Sequence, residues 1–234
     1  MEHVIMAGLK RGILFIVFLV WTTLLPTSGD DTTLAVLDFE NNSIFNSEEV
    51  QPLSKGLAEI MITELNGIQA IRVVERQRFR SMLDELKLSQ SGLVSEKKSV
   101  EVGKLIGAQH LVFGGYIVAP NEKIRIDIRI VEVETGLTIK AGEVTGKIKD
   151  VLSLIKKLSI KILKDLDVRM TDSEKKTLGD SKKLDMKAIV LFSKGLEYED
   201  LGQNQEAIAC YQKALEIESN FKQAKDRIER LSGQ

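Results

Sequence analysis

The chain is poor in the residues that build the commonest chemical sites. Cysteine occurs once, at Cys210, and histidine twice, at His3 and His110. Neither a disulfide framework nor a Cys/His metal cluster can be assembled from that stock, and no metal or cofactor is expected. Aromatic residues make up 5% of the sequence, too few for a surface that stacks bases or sugars. An excess of one charge is also missing, since 33 Lys and Arg stand against 34 Asp and Glu. A nucleic-acid binder would show a basic surplus, so no nucleic-acid partner is expected.

What is present is globular in balance: 43% hydrophobic and 29% charged residues. A chain of 234 residues has room for one ordinary domain and a small addition. Residues 1–29 read as a secretory signal peptide. Lys10 and Arg11 form a positive start, Gly12 to Leu25 an apolar run, and Pro26-Thr27-Ser28-Gly29 a small-residue exit. The apolar run falls short of the roughly 20 residues that a membrane-spanning helix needs, although an uncleaved anchor is the alternative. No cysteine lies near the junction to carry a lipid.

Strand signals gather between Gly107 and Gly146. His110 to Val118 is apolar, with Gly114 and Gly115 inside it. From Ile124 to Val133, Ile124, Ile126, Ile128 and Ile130 alternate with Arg125, Asp127 and Arg129, the period of a strand with one buried face. Beyond Ile130 the apolar positions shift to Val131 and Val133, which predicts a bulge or a sharp twist. Gly136 supplies the positive φ of a tight turn before a third run, Leu137 to Val144. An antiparallel meander results. Thr33 to Phe39 is an apolar central strand and Ile71 to Val74 a short one. Helical spacing marks 54–65, 75–88, 100–106 and 151–166, with a loop over 89–95. The lysines of 151–166 fall mostly on the solvated side of that helix.

Residues 168–184 are polar, without a sustained apolar period, and read as a linker. Beyond it, Gly195, Tyr198, Gly202, Ala207, Tyr211, Ala214 and Leu215 fall at the offsets of a tetratricopeptide repeat. The small residues let two helices approach, and both tyrosines are expected in the core between them. Phe221 to Leu231 would cap the pair. One repeat is fewer than the three or so that stand alone, so it is expected to lean on the main domain, on another copy or on a partner.

Catalytic signals are weak. Asp38 and Glu40 straddle Phe39 at the end of the first strand, where α/β sites lie, but such neighbours usually form a solvated rim. Gly114-Gly115 lies within a strand and lacks the Lys-Ser/Thr and helix of a phosphate loop. His110 has no nucleophile in a suitable relation to it, and Cys210 reads as a buried structural thiol. No catalytic, cofactor-binding or metal-binding residue is nominated, and the chain is not expected to be an enzyme.

The segments LAVLDFEN (Leu34 to Asn41), RVVERQRFRSMLDELKLSQSG (Arg72 to Gly92), VGKLIGAQHLVFGGYI (Val102 to Ile117) and IDIRIVEVETGL (Ile126 to Leu137) carry a family resemblance. Over about residues 33–166 the chain resembles the CsgG family, the curli assembly and transport proteins of the bacterial envelope. It is similar also to the wider group sharing that fold, which includes the TolB amino-terminal domain, the flagellar FlgO proteins and the lipoprotein activators of penicillin-binding proteins. The curli channel inserts a long membrane hairpin between two strands that are joined here only by Ala119-Pro120-Asn121-Glu122-Lys123. A membrane hairpin needs strands of about 9 to 11 residues facing lipid, so no transmembrane hairpin is expected. The segment Glu40 to Gln51, in place of the channel's constriction loop, has Phe45-Asn46 but no Tyr. No functional residue is transferred from the family.

The expectation is an α/β domain over 30–167, a mixed, mainly antiparallel sheet of about five strands covered by helices, then a small all-α repeat module over 185–234. The resemblance implies an exported, non-enzymatic envelope protein, periplasmic and associated with the outer membrane or free of it. It would act by protein–protein contact, with homo-oligomerisation among the expectations, in assembly or secretion of surface structures. The alternatives are an activator of a cell-wall synthase and a periplasmic ligand-binding sensor.

Overall fold

The computed structural model describes residues 32–86, 96–179 and 183–233. The expected signal peptide and the 89–95 loop lie outside them. The first element is β1 (Thr32–Val36). A two-residue strand β2 (Glu40–Asn41) and one turn of helix α1 (Ser47–Val50) lead into α2 (Leu53–Leu65). Then come β3 (Ile71–Val74), α3 (Arg76–Glu85) and α4 (Glu96–Leu105). The meander follows as β4 (His110–Ala119), β5 (Lys123–Glu132) and β6 (Thr138–Lys147). A helical turn, Ile148–Asp150, opens α5 (Val151–Asp165). Last are α6 (Asp172–Gly179), α7 (Met186–Asp200), α8 (Asn204–Ile217) and α9 (Lys222–Ser232).

The sheet runs β3-β1-β4-β5-β6, with the short β2 on β4 as a sixth strand. It is mixed: β1 lies parallel to β3 and β4, and β2 parallel to β4, while the two long pairings, β4 with β5 and β5 with β6, are antiparallel. β1 is buried on both faces, as its continuous apolar run requires. Leu34 and Val36 join a core shared with α2, α5 and α7, and Ala35 joins a second core with α3 and α4. The helical spacing is cashed in on those faces. Leu57, Ile60, Met61 and Leu65 of α2 are buried on the first, and Phe79 and Leu83 of α3 on the second.

The irregularity expected after Ile130 is present, although it does not itself produce the apolar shift. A register break does lie at Ile130/Val131, but the unpaired residue is Ile139 of β6, and β5 pairs with β4 without interruption. β5 alternates throughout, so Val131 shares the face of Arg125, Asp127 and Arg129. What changes is the cover: α4 and its neighbours enclose that face at Val131, whereas further along it is open and polar.

The β4–β5 connection is shorter still than the polar turn suggested, because Ala119 and Lys123 already pair, and Glu122 takes a φ of 57°. Gly136 turns β5 into β6 at a φ of 71°, as its position predicts. Among the described residues no helix is long and apolar enough to cross a membrane.

Residues 172–179, read as part of a linker, form α6. A reciprocal capping box starts it. Thr171 donates its backbone N–H to the Glu174 carboxylate at 2.6 Å, and the Glu174 N–H reaches the Thr171 hydroxyl at 3.3 Å. The same carboxylate accepts from the Gln69 N–H at 2.9 Å, and Leu178 is buried in the main core, so the stretch is tied down at both ends.

The repeat leans on the main domain, and the described residues fall in one compact unit. α7 packs on α2 closely enough that a Cβ on Gly56 would come within 1.9 Å of the Ser193 hydroxyl. Within the repeat, a Cβ on Gly195 would stand 2.3 Å from the Tyr211 ring, so α7 and α8 meet as the small-residue spacing requires. Tyr211 is fully buried, but Tyr198 is 37% exposed, contrary to expectation. The inward position beside it is taken by Glu199, whose carboxylate receives the Tyr211 hydroxyl at 2.6 Å. Cys210 is half-buried rather than buried, and burial pushes its thiol up. One lysine of α5 leaves the solvated side: Lys156 is buried, 3.7 Å from Glu64 and donating to the Thr177 carbonyl at 3.1 Å.

Candidate functional site

At the carboxyl end of β1 the two crossovers part. The connection from β1 to β3 runs through α2 on one face of the sheet, and that from β3 to β4 runs through α3 and α4 on the other. Open α/β sheets bind ligands where connections diverge in this way. Here the divergence leaves a cleft of about 850 Å³, within the usual size range of ligand sites. Its apolar walls are Leu37, Phe39, Phe79, Leu83 and Phe113, and Gly114 and Gly115 of β4 also line it. Charged groups enter from β2, α2, α3, β5 and α7. The repeat contributes Glu197, so the main domain alone does not complete the cleft.

An ion network holds the repeat at this place. Asp200, at the end of α7, accepts two hydrogen bonds from Arg76 at 2.7 and 2.9 Å, one from Arg80 at 2.7 Å, and an ion pair from Lys55 at 2.6 Å. Asp38 flanks the same arginines, 3.7 Å from Arg76 and 3.5 Å from Arg80. Behind them Glu59 of α2 meets Arg227 of α9, and Arg227 donates to Glu199 at 2.7 Å. Gln77 of α3 reaches that carboxylate too, at 2.9 Å. The network is deeply placed: the Arg76 and Asp200 side chains are 4% and 5% exposed. Lys55, Arg76, Arg80 and Arg227 balance Asp38, Glu59, Glu199 and Asp200 charge for charge, as a buried cluster must.

The environment shows in the proton affinities. Burial opposes the charge of Asp200, but the Arg76 hydrogen bonds and the nearby Lys55 and Arg80 outweigh it and hold the carboxyl below the usual range. Burial likewise opposes the charge on Arg76, and its bond to Asp200 together with Asp38 and Glu59 holds it above the ordinary arginine value. Tyr211 is pushed up by burial and by its bond to Glu199.

The residues weighed in the sequence separate cleanly. Asp38 and Glu40 both line the cleft, but Asp38 is engaged with two arginines instead of forming a free rim pair. Gly114 lies under the Phe39 ring, where a Cβ would come within 1.3 Å of a ring carbon. His110 is away from the cleft, at the start of β4, half-buried and with its pKa lowered by burial. Cys210 does not line it. Arg76, Arg80 and Asp200 drew no notice, although a signal existed. Acidic residues crowd the last turn of α7 and arginines the first turns of α3, both against the helix macrodipole. Charges so placed call for external partners, and these two helix ends neutralise each other.

Residues 22–122 match the family model described as "Curli production assembly/transport component CsgG", and residues 188–221 match that of the tetratricopeptide repeat. No curated protein matches the chain. Among solved structures, it is similar to the LpoB C-terminal domain from Salmonella enterica, at 16% identity and a TM-score of 0.37 over 52% of this chain and 87% of that one. The PelC dodecamer from Paraburkholderia phytofirmans is similar at 15% identity and a TM-score of 0.38, over 62% and 94%. TolB from Acinetobacter baumannii is similar at 11% identity and 0.38, over 60% and 29%.

Proposed function

We propose, for a chain that carries a CsgG-family segment joined to a tetratricopeptide repeat, an exported envelope protein that works by protein–protein contact and not by catalysis. Its task would be assembly or secretion of cell-surface structures, from the periplasm and with or without attachment to the outer membrane. The observation that carries this reading is the way the two modules are joined. A family segment associated with curli assembly and transport is fastened to a partner-binding type of repeat through a buried ion network, so that the two are held in one compact unit.

The test is made in the organism of origin. A strain lacking the gene is compared with its complemented parent by mass spectrometry of the surface-shed and secreted fractions. Loss of one or a few exported proteins, restored on complementation, is expected; unchanged fractions would sink the reading. Light scattering on residues 30–234, with and without detergent, tests homo-oligomerisation separately. A closed ring would support a collar around a secretion path, and a monomer or dimer in both conditions would remove it.

The cleft favours a second reading, a periplasmic ligand-binding sensor. A small molecule that raises the melting temperature in proportion to its occupancy would favour the sensor.

A further inference from the structure

We infer that the cleft at the end of β1 receives a basic peptide segment of a partner protein: a lysine or arginine side chain with apolar residues on either side. This rests on the contact-based reading above and names its site.

The charged groups lining the cleft divide into those already paired and those left free. Every cation lining the cleft has a partner: Lys55, Arg76 and Arg80 converge on Asp200, and Arg129 donates to Glu96 at 3.1 Å. The carboxylates do not. Glu40, Asp84, Asp127 and Glu197 line the cleft with no hydrogen bond or ion pair among the described residues. Asp38 is not among them, since its two oxygens lie 3.7 and 3.5 Å from Arg76 and Arg80. An anion entering the cleft would have to displace Asp200, which is bound by three cations and buried. An ammonium or guanidinium group would displace nothing and would meet acceptors that are free. Apolar walls strengthen the attraction, because low-dielectric surfaces focus the field of the carboxylates between them. Phe79, Leu83 and Phe113 give the neighbours of the basic residue a surface to cover. The free carboxylates arrive from β2, α3, β5 and α7, so the charge is spread over four elements and suits an extended segment better than a single small cation.

Calorimetric titration of the protein with capped pentapeptides tests the assignment. The peptides carry arginine, lysine, alanine or glutamate between leucines. The arginine and lysine peptides are expected to bind at least tenfold more tightly than the alanine peptide, the glutamate peptide not at all, and added salt to weaken binding. Asp127→Asn with Glu197→Gln should weaken the arginine peptide at least tenfold while leaving the melting temperature unchanged. Asp84→Asn, on an exposed helix end, is a second variant with the same expected direction should the double variant unfold. Equal binding across the panel, no binding by any peptide, or variants that keep full affinity would each overturn the proposal. Arginine amide binding as tightly as the arginine peptide would show a small-cation site and overturn the segment. The strain comparison above is independent of these titrations, so the broader reading and this site can fail separately.

Discussion

Gly114 is where one atom decides whether the cleft can exist. The Phe39 ring lies against its backbone, and a Cβ there would sit 1.3 Å from a ring carbon. Gly114→Ala is therefore expected to lower stability by about 2 kcal/mol in urea unfolding, the cost of overpacking a filled core. Phe39→Leu in the same chain should recover part of that loss, since it removes the ring that collides. His110 adds a residue-scale pH effect. Its pKa is lowered by burial, so the unfolded chain binds a proton more readily than the folded one below an unfolded value of about 6.5. Stability is expected to fall as pH drops through that region, and His110→Gln should flatten the melting temperature there.

α6 shows how short a signal can specify an element. Its sequence has no sustained apolar period, and among its described side chains only Leu178 is buried in the core. The helix starts because Thr171 and Glu174 satisfy each other's backbone groups, a pattern legible in the residues 171–174 although the polar composition concealed it. Thr171→Ala should cost about 1 kcal/mol, read by chemical denaturation, and raise amide exchange over 172–178. α3 and α7 illustrate the converse. α3 begins and α7 ends with charge against its own dipole, and each is stable because the other supplies the opposite sign.

At the scale of the whole molecule the decisive feature is the ion network that fastens the repeat. Asp200→Asn would leave Arg76, Arg80 and Lys55 facing one another, a loss of about 3 kcal/mol for an uncompensated buried group. The repeat should then loosen, visible as faster amide exchange in α7–α9 while the β4–β6 meander stays protected. Acid should act in the same direction. Asp200 is held below the usual carboxylate range, so its contribution is complete above the unfolded value of about 3.9 and disappears as pH falls through the lower, folded one. Glu64 works in the opposite sense: burial raises its pKa despite Lys156, and protonation relieves that cost as pH falls. Melting curves between neutral pH and about pH 3 should show a second decline below about pH 4, and Asp200→Asn should flatten it.

Periodicity alone was enough for the meander, the central strand and the main helices, because the faces of β5, α2 and α3 meet the same core along most of their length. It was enough too for the repeat, whose small residues encode a helix–helix distance. Periodicity placed the register break after Ile130 but not the reason for the apolar shift, because the change from polar to apolar on one face reflects which helix covers it, and a cover is a tertiary fact. Tyr198 misses its expected core place for the same kind of reason: the inward position is held by Glu199, a carboxylate with the distant Arg227 to meet. The cleft and its clamp belong wholly to the tertiary structure. Their residues lie as far apart in the chain as Asp38 and Asp200, and no local pattern records a charge pair that exists only when two helix ends are brought together.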